Sequence, residues 1–370
     1  MKVLHVVRTY FPDTTGGMQE VIRQTCLNTA PLGVENRVFT PSPKPNPAVI
    51  ESAEAEIHRV KLNFEIASCS FCWTGLGSFR KQVEWADVVH YHFPWPFADV
   101  MHFACKVKKP TLLTYHADIV RQQGLLKIYR PLMERFLASV THIVCTSPNY
   151  LATSKPLSKH RHRTDVIPIG LNPDSYPEVS AEELESVRQR FGEDFFLFVG
   201  LLRYYKGLHI LLEAAKNADF RIVIAGAGPY ERQLKKQAAE LGLTNVVFAG
   251  FVPDKTKVAL FKLSRGVVFP SHLRAEAFGV ALLEGAMYSK PLISTETGTG
   301  TSHVNLHEET GLVVPPDDPA ELRAAMDAVY TDSARAEAFG RNARCRFEGN
   351  FTGEIMAKQY VEQYQRLLAG

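Results

Sequence analysis

Glu276 and Glu284, eight residues apart in HLRAEAFGVALLE, are the most telling pair in the chain. With Glu276 in a loop and a helix opening near Gly279, Glu284 lies about a turn and a half inside that helix. Both carboxylates can then face one cavity, with the free backbone N–H groups of Phe278, Gly279 and Val280 between them. A carboxylate accepts two or more hydrogen bonds, which suits a ligand rich in hydroxyls. A second pair, Arg203 and Lys206 in LLRYYKG, follows the apolar run FFLFVG. A guanidinium fork and an ammonium point charge placed there can grip a diphosphate from two directions. As plain solvated charges at a helix start they would instead oppose the helix dipole. Near the N-terminus, Gly16 and Gly17 close a loop before a helix, where backbone N–H groups can meet an anion.

Other signals are thinner. His90 and His92 alternate on a strand and share a face, which raises a metal pair; no third ligand stands at a suitable spacing. Buried hydrogen-bonded or acceptor-pocket roles suit them better. Cys69 and Cys72 make one C-x-x-C, but no second pair or histidine register completes a zinc site. Neither G-x-G-x-x-G nor a phosphate-binding G-x-x-x-x-G-K-[ST] occurs, and there is no D-x-D triplet.

These residues need strands and helices to hold them. Short apolar runs (Val3–Val7, Asn36–Thr40, Val88–His92, Thr111–Tyr115, His142–Cys145) alternate with helical stretches through the first half. The alternation restarts at FFLFVG and continues through RIVIAG, VVFAG, GVVFPS and the strand at Pro291–Thr295. Strand–helix–strand units of this kind predict an α/β protein with two doubly wound, Rossmann-like domains of mostly parallel sheet. We place the domains at 1–172 and 191–350, a proline-broken linker at 173–190, and a C-terminal helix at 351–370 packing back on the first domain. Ligands in such folds bind beyond the carboxyl ends of strands, so the chemistry is expected in a cleft between the domains.

Composition sets outer bounds. The chain has 370 residues, 45% hydrophobic and 22% charged, with a formal charge of +3. That excludes a fibrous protein, a disordered chain and a small disulfide scaffold. No run approaches the length of a membrane span, and the N-terminus reads as a strand and not a signal peptide. Scattered cysteines suit a reducing compartment, so a cytoplasmic location is expected. The charge is uneven. Between Ala104 and Asp165 eleven Lys and Arg face three acidic residues, a net +8 that leaves −5 elsewhere. Together with Phe93, Trp95 and Phe97 of HFPWPF, and Leu125, Leu126, Ile128 and Tyr129, this segment suits peripheral contact with an anionic membrane. A solvated basic face over core aromatics fits the same residues.

In order and spacing these motifs resemble glycosyltransferase family 4, of the two-domain GT-B fold. EAFGVALLE after a strand ending in PS matches its E-x7-E motif. The N-terminal glycine pair, the R-x-x-K-G step, the turn Gly226-Ala227-Gly228-Pro229, FVPD and ETGLVVPPDDP fit as well. The resemblance implies a metal-independent, cofactor-free retaining hexosyltransferase. The first domain would bind the acceptor and the second a nucleotide sugar. Arg203 and Lys206 would hold the donor diphosphate, and Glu276 the sugar hydroxyls. The amides of Phe278, Gly279 and Val280 would approach sugar and phosphate, and Glu284 the ribose. Gly16 and Gly17 would face the phosphate, and His116 would lie beside the transferred sugar. His92 and Asp118 are expected toward the acceptor. HADIVRQQ and TETGTGTSHVN resemble segments of bacterial mannosyl- and rhamnosyl-type transferases of O-antigen and exopolysaccharide assembly, which implies a GDP-sugar such as GDP-mannose and a polyprenyl-diphosphate-linked acceptor. Two alternatives stay open: a UDP-sugar enzyme with a soluble acceptor, and a non-catalytic nucleotide-binding relative. A nucleic-acid partner is not expected.

Overall fold

The computed structural model of the chain describes residues 1–67, 69–119 and 123–370. Its contacts divide it into two units, one of Met1–Gly170 with Gly353–Gly370, the other Leu171–Thr352.

The first unit is built on strands β1 (Lys2–Val6), β2 (Glu35–Ser42), β3 (Val49–Glu51) and β4 (Glu56–Lys61). A separate hairpin follows, β5 (Phe64–Ile66) with β6 (Cys69–Phe71), and then β7 (Val88–Phe93), β8 (Thr111–Tyr115), β9 (His142–Cys145) and β10 (Thr164–Val166). The main sheet runs β10-β9-β8-β7-β1-β2-β4-β3, parallel except for β3. Strand order reverses between β1 and β7, which makes their carboxyl ends the switch point where a doubly wound sheet opens to a ligand. β7 reads VVHYHF and is buried along its whole length, as a central parallel strand covered on both faces must be. The helices are α1 (Gly17–Thr29), α2 (Leu76–Trp85), α3 (Pro96–Ala104), α4 (Gln123–Ser139), α5 (Pro148–Thr153) and α6 (Lys155–Ser158).

The second unit opens with α7 (Ala181–Phe191), followed by β11 (Phe196–Val199), α8 (Leu208–Ala214), β12 (Ile222–Ala225), α9 (Glu231–Glu240), β13 (Val246–Gly250) and α10 (Asp254–Leu263). Then come β14 (Gly266–Phe269), α11 (Val280–Met287), β15 (Leu292–Thr295), α12 (Thr301–Val304), β16 (Gly311–Val314), α13 (Pro319–Thr331) and α14 (Ser333–Asn350). Its sheet runs β13-β12-β11-β14-β15-β16, all parallel. The reversal falls between β11 and β14.

The stretch expected as a linker is a structured part of the second unit. Ser180 and Glu183 form a reciprocal capping box at the start of α7, and α7 packs on α10, with Lys255 bonded to Glu183 at 2.7 Å. Its high charge reads as linker in sequence because only Phe191 of the helix is fully buried. The last helix, α15 (Gly353–Ala369), belongs to the first unit, where Met356, Tyr360 and Tyr364 share a core with Val3, Val88, Leu112, Val144 and Ile167. Several elements of the first unit escaped the sequence reading: β3, β4, the β5–β6 hairpin, α2, α3, α5 and α6.

Candidate functional site

At the switch point of the second unit, β11 leads into Arg203 and a single tight turn, Tyr204–Lys206, ended by Gly207 at φ 69°. A Cβ on Gly207 would lie 1.8 Å from the Pro270 carbonyl oxygen, so only glycine lets this turn touch the backbone beyond β14. The Gly226–Pro229 turn supports the same loop from the other side: the Leu202 N–H donates to Ala227 O at 3.0 Å and the Tyr230 N–H to Leu202 O at 3.1 Å. Arg203 and Lys206 are therefore fixed by backbone, and both expected cations stand at the carboxyl end of β11.

The structure brings Lys206 and Glu276 together. The ammonium donates directly to Glu276 Oε2 and lies 4.5 Å from the centroid of Phe269, and Ser271 Oγ donates to the same carboxylate oxygen at 3.4 Å. The two side chains are only 12% and 11% exposed, so the pair is largely dehydrated. Burial by itself lowers the Lys206 pKa; the Glu276 carboxylate, aided by Tyr205, outweighs it and holds the ammonium above its usual value. The Arg203 carbonyl accepts from the Lys206 N–H at 3.0 Å, while its guanidinium has no hydrogen-bond or ion-pair partner among the described residues. Gly279, at φ 94°, caps α11, whose first amides lack intrahelical acceptors. Phe278 is buried beside Phe351.

Glu284 lies in the second turn of α11 and is also buried and paired. Its Oε1 accepts from Lys257 Nζ at 2.9 Å and from the Tyr176 hydroxyl at 3.1 Å. Lys257 sits on α10 and also meets Asp254 at 3.2 Å. Burial lowers its pKa, but Glu284 and then Asp254 raise it overall. Burial, reinforced by Glu284, pushes the Tyr288 phenol up to about 12.

Sequence reading missed His272, which ties the Arg203–Lys206 turn down. Its backbone N–H donates to Tyr205 O at 3.0 Å, its Nε2 meets Tyr204 O at 3.1 Å and its Nδ1 meets Asp317 at 2.6 Å. A histidine beside two glutamates carries no spacing signal of its own. His209, His272 and Asp317 each offer an atom within 4.8 Å of the others, as metal ligands could, although both His272 nitrogens already have partners.

In the first unit, Gly16 caps α1 and Gly17 is its first residue. The histidines gather at the carboxyl ends of β1, β7 and β8. His5 Nδ1 lies 3.1 Å from His92 Nε2, and His92 Nδ1 lies 2.9 Å from His116 Nε2. His90 bonds the Tyr364 hydroxyl at 2.8 Å and Thr114 at 2.7 Å. His5 thus supplies the third member of the metal-like group that His90 and His92 suggested. Every ring nitrogen of that trio has a protein partner, however, so the cluster is hydrogen-bonded as it stands. Burial pushes the pKa of His5 and His116 down to about 4, and those of His90 and His92 well below the usual value. The rings are neutral near pH 7.

His92 was expected at the acceptor. Both its nitrogens are taken by neighbouring histidines, so it stands behind His116. Asp118 accepts from the Tyr115 hydroxyl at 2.9 Å and Ser154 Oγ at 2.7 Å, which anchors the loop after β8. Burial pushes Cys69 and Cys72 up to about 11 and about 12, so neither is the thiolate a redox site needs.

The membrane reading changes in detail. Phe93, Trp95 and Phe97 are core residues, and the Trp95 indole donates to Ser70 O at 2.8 Å, so HFPWPF offers no anchor. Leu125 and Ile128 of α4 are exposed, Ile128 at 81%. Tyr129 turns inward to Asp99. Of the basic residues, Arg163 donates into the Val140 and Leu137 carbonyls and Lys159 pairs with Glu134, while Arg121 lies outside the described residues. No helix among the described residues is long and apolar enough to cross a membrane.

Known proteins share this fold. The family "Glycosyl transferases group 1" matches residues 180–346, and "Glycosyltransferase Family 4" matches residues 15–175. The chain is 52% identical to the D-rhamnosyltransferase WbpZ of Pseudomonas aeruginosa over 95% of this chain and 92% of that protein. It is 46% identical to the O-antigen chain mannosyltransferase C of Escherichia coli over 100% and 99% of the two chains. Among solved structures, Anabaena HepE in complex with UDP and glucose superposes with a TM-score of 0.80 at 18% identity, covering 99% of this chain and 100% of that one. Sucrose-phosphate synthase from Thermosynechococcus elongatus gives 0.78 at 22%, covering 100% and 99%.

Proposed function

The chain belongs to glycosyltransferase family 4, with the GT-B fold, and from that premise we propose that it moves mannose or a deoxymannose such as D-rhamnose from a GDP-sugar to a polyprenyl-diphosphate-linked glycan in O-antigen or related surface-polysaccharide synthesis. The names of its two extensively similar relatives support the hexosyl group and the pathway class. The observation that carries the donor site is the buried Lys206–Glu276 pair beside an unengaged Arg203 at one switch point.

The chemistry follows from charge. As the bond between the sugar C1 and the diphosphate breaks, negative charge grows on the leaving oxygen. Arg203, Lys206 and the first amides of α11 supply the opposing field, so the protein itself does what a cation does elsewhere. Lys206 turns from Glu276 to the phosphate, and Glu276 then accepts from a sugar hydroxyl. Glu284 takes the ribose hydroxyls; in the first unit the family resemblance assigns donor roles to Gly16, Gly17 and His116. A new C1–O bond forms to the acceptor on the face the diphosphate leaves, and the acceptor hydroxyl's proton passes to the departing phosphate oxygen. Configuration is retained.

The acceptor's lipid end places the reaction at the inner face of the cytoplasmic membrane. Exposed apolar side chains support that reading: Leu125 and Ile128 of α4, with Lys127 and Arg130 exposed among them, and Phe64, Ile66 and Trp73 around the β5–β6 hairpin. Both β6 and α4 pack on α3. Thermal-shift and donor-hydrolysis assays across GDP-, UDP- and ADP-sugars test the donor. We expect stabilisation and slow hydrolysis with GDP-mannose or GDP-rhamnose alone. A response to UDP-sugars alone overturns the donor assignment, and no response to any nucleotide sugar overturns the donor site.

A further inference from the structure

We propose that Asn36, His5 and His92 form a directional relay that fixes the tautomer of His116, with its proton on Nε2 and a lone pair on Nδ1. The chain of bonds starts at a group that can only accept. Asn36 Nδ2 donates to the Cys26 carbonyl at 3.1 Å and to Thr29 Oγ1 at 3.2 Å, which sets the orientation of the amide. Asn36 Oδ1 therefore faces His5 Nε2 at 3.2 Å and must accept from it. A neutral His5 then has its lone pair on Nδ1, and among the described residues the one group bonded there is His92 Nε2 at 3.1 Å, which must donate. His92 Nδ1 is left to accept, and it does so from His116 Nε2 at 2.9 Å. Each ring allows one arrangement once its predecessor is fixed. The carbonyl of Cys26, on the far side of β1, dictates where the proton of His116 sits.

The rings suit this role. His5, His92 and His116 are all less than a tenth exposed, and His5–His92 and His92–His116 stack at 5.4 and 5.2 Å between centroids. His90 packs against the same stack but bonds Tyr364 and Thr114, so it lies outside the relay. His116 Nδ1 has no hydrogen-bond partner among the described residues. A lone pair presented there accepts a hydrogen bond from a hydroxyl and repels a carbonyl or ether oxygen. This part rests on the reading of His116 as the residue beside the transferred sugar. Asn36, His5 and His92 are positioning residues: they act through His116.

The test is long-range ¹H–¹⁵N spectroscopy of the full chain with ¹⁵N-labelled histidine, first without substrate. Near neutral pH His116 should be a single neutral Nε2–H tautomer. An Nδ1–H ring, a mixture or a charged ring in the wild type overturns the relay, and this outcome does not depend on any variant folding or on any donor being right. In His5→Phe and Asn36→Leu the His116 signals should shift toward Nδ1–H, whereas His90→Phe should keep the wild-type tautomer. With the donor that supports transfer, kcat of the first two should fall by about tenfold or more with KM for the donor within about twofold. A changed tautomer with unchanged kcat overturns the catalytic use of the relay. Absence of transfer from any donor, with the tautomer as described, instead breaks the functional reading and leaves the relay standing.

Discussion

The two sheets reverse their strand order in the same way, yet their switch points carry opposite chemistry. Between β11 and β14 lie charges held in place by countercharges: Lys206 with Glu276, and Lys257 with Glu284 close by. Between β1 and β7 lie neutral imidazoles held by one another and by an amide. Both regions are buried, and burial alone disfavours charge. The second unit overcomes this by pairing. In the first unit no carboxylate among the described residues bonds to the His5–His92–His116 relay, and burial keeps the rings neutral. A fold that presents two similar cradles can thus assign an electrostatic grip to one and uncharged hydrogen bonding to the other.

Breaking the charged side should have the largest effect. Glu276→Ala is expected to lower turnover by at least about a hundredfold with the fold intact, as loss of a preorganised polar contact at a reacting centre does. Lys206→Met strands a buried carboxylate and should also cost the second unit about 3–5 kcal/mol, read from denaturant unfolding. Transfer at near wild-type rate in Glu276→Ala would show the site to be misplaced.

The neutral side should reveal itself through pH. A histidine whose pKa is lower folded than unfolded binds its proton more readily in the unfolded chain. Stability is therefore full above about pH 6.5, declines as pH falls toward about 4, and levels off below that. A shift of that size is on the order of 3 kcal/mol per ring. Unfolding midpoints of His5→Phe should lose part of this slope; an unchanged slope would mean that the buried rings are not neutral. Lys206 and Lys257 have raised values, so their contribution persists through this range and fades only in alkali.

Smaller changes sharpen the comparison. Tyr364→Phe removes the hydroxyl that His90 meets and should cost about 1 kcal/mol. Ile128→Ser, on an exposed face, should move stability by less than about 0.5 kcal/mol, yet weaken sedimentation with anionic vesicles at low salt. Equal sedimentation of both proteins would remove α4 from the membrane reading.

Much of this was legible in the residues. Parallel strands announce themselves as short apolar runs, and the loops after β11 and β14 hold charged residues where ligands bind. The elements that escaped are those whose pattern is set by tertiary cover. α3 (PFADVMHFA) is too apolar for an amphipathic signature, and β4 (EIHRVK) mixes charge into a buried strand. Both glutamates and Lys206 could be read, but the partner of Glu284 could not, because Lys257 lies on another helix, brought near by packing alone. His5 had a faint signal, a polar residue inside VLHVV, yet its role depends on Asn36 and His92, which only the sheet register brings together.

GDP binding measured by titration calorimetry on the wild type and Lys206→Met tests the central claim most directly. If the second unit's switch point grips the diphosphate, the substitution should weaken GDP by about thirtyfold or more, roughly 2 kcal/mol. An affinity unchanged within about twofold, in a protein that still folds, would contradict the account.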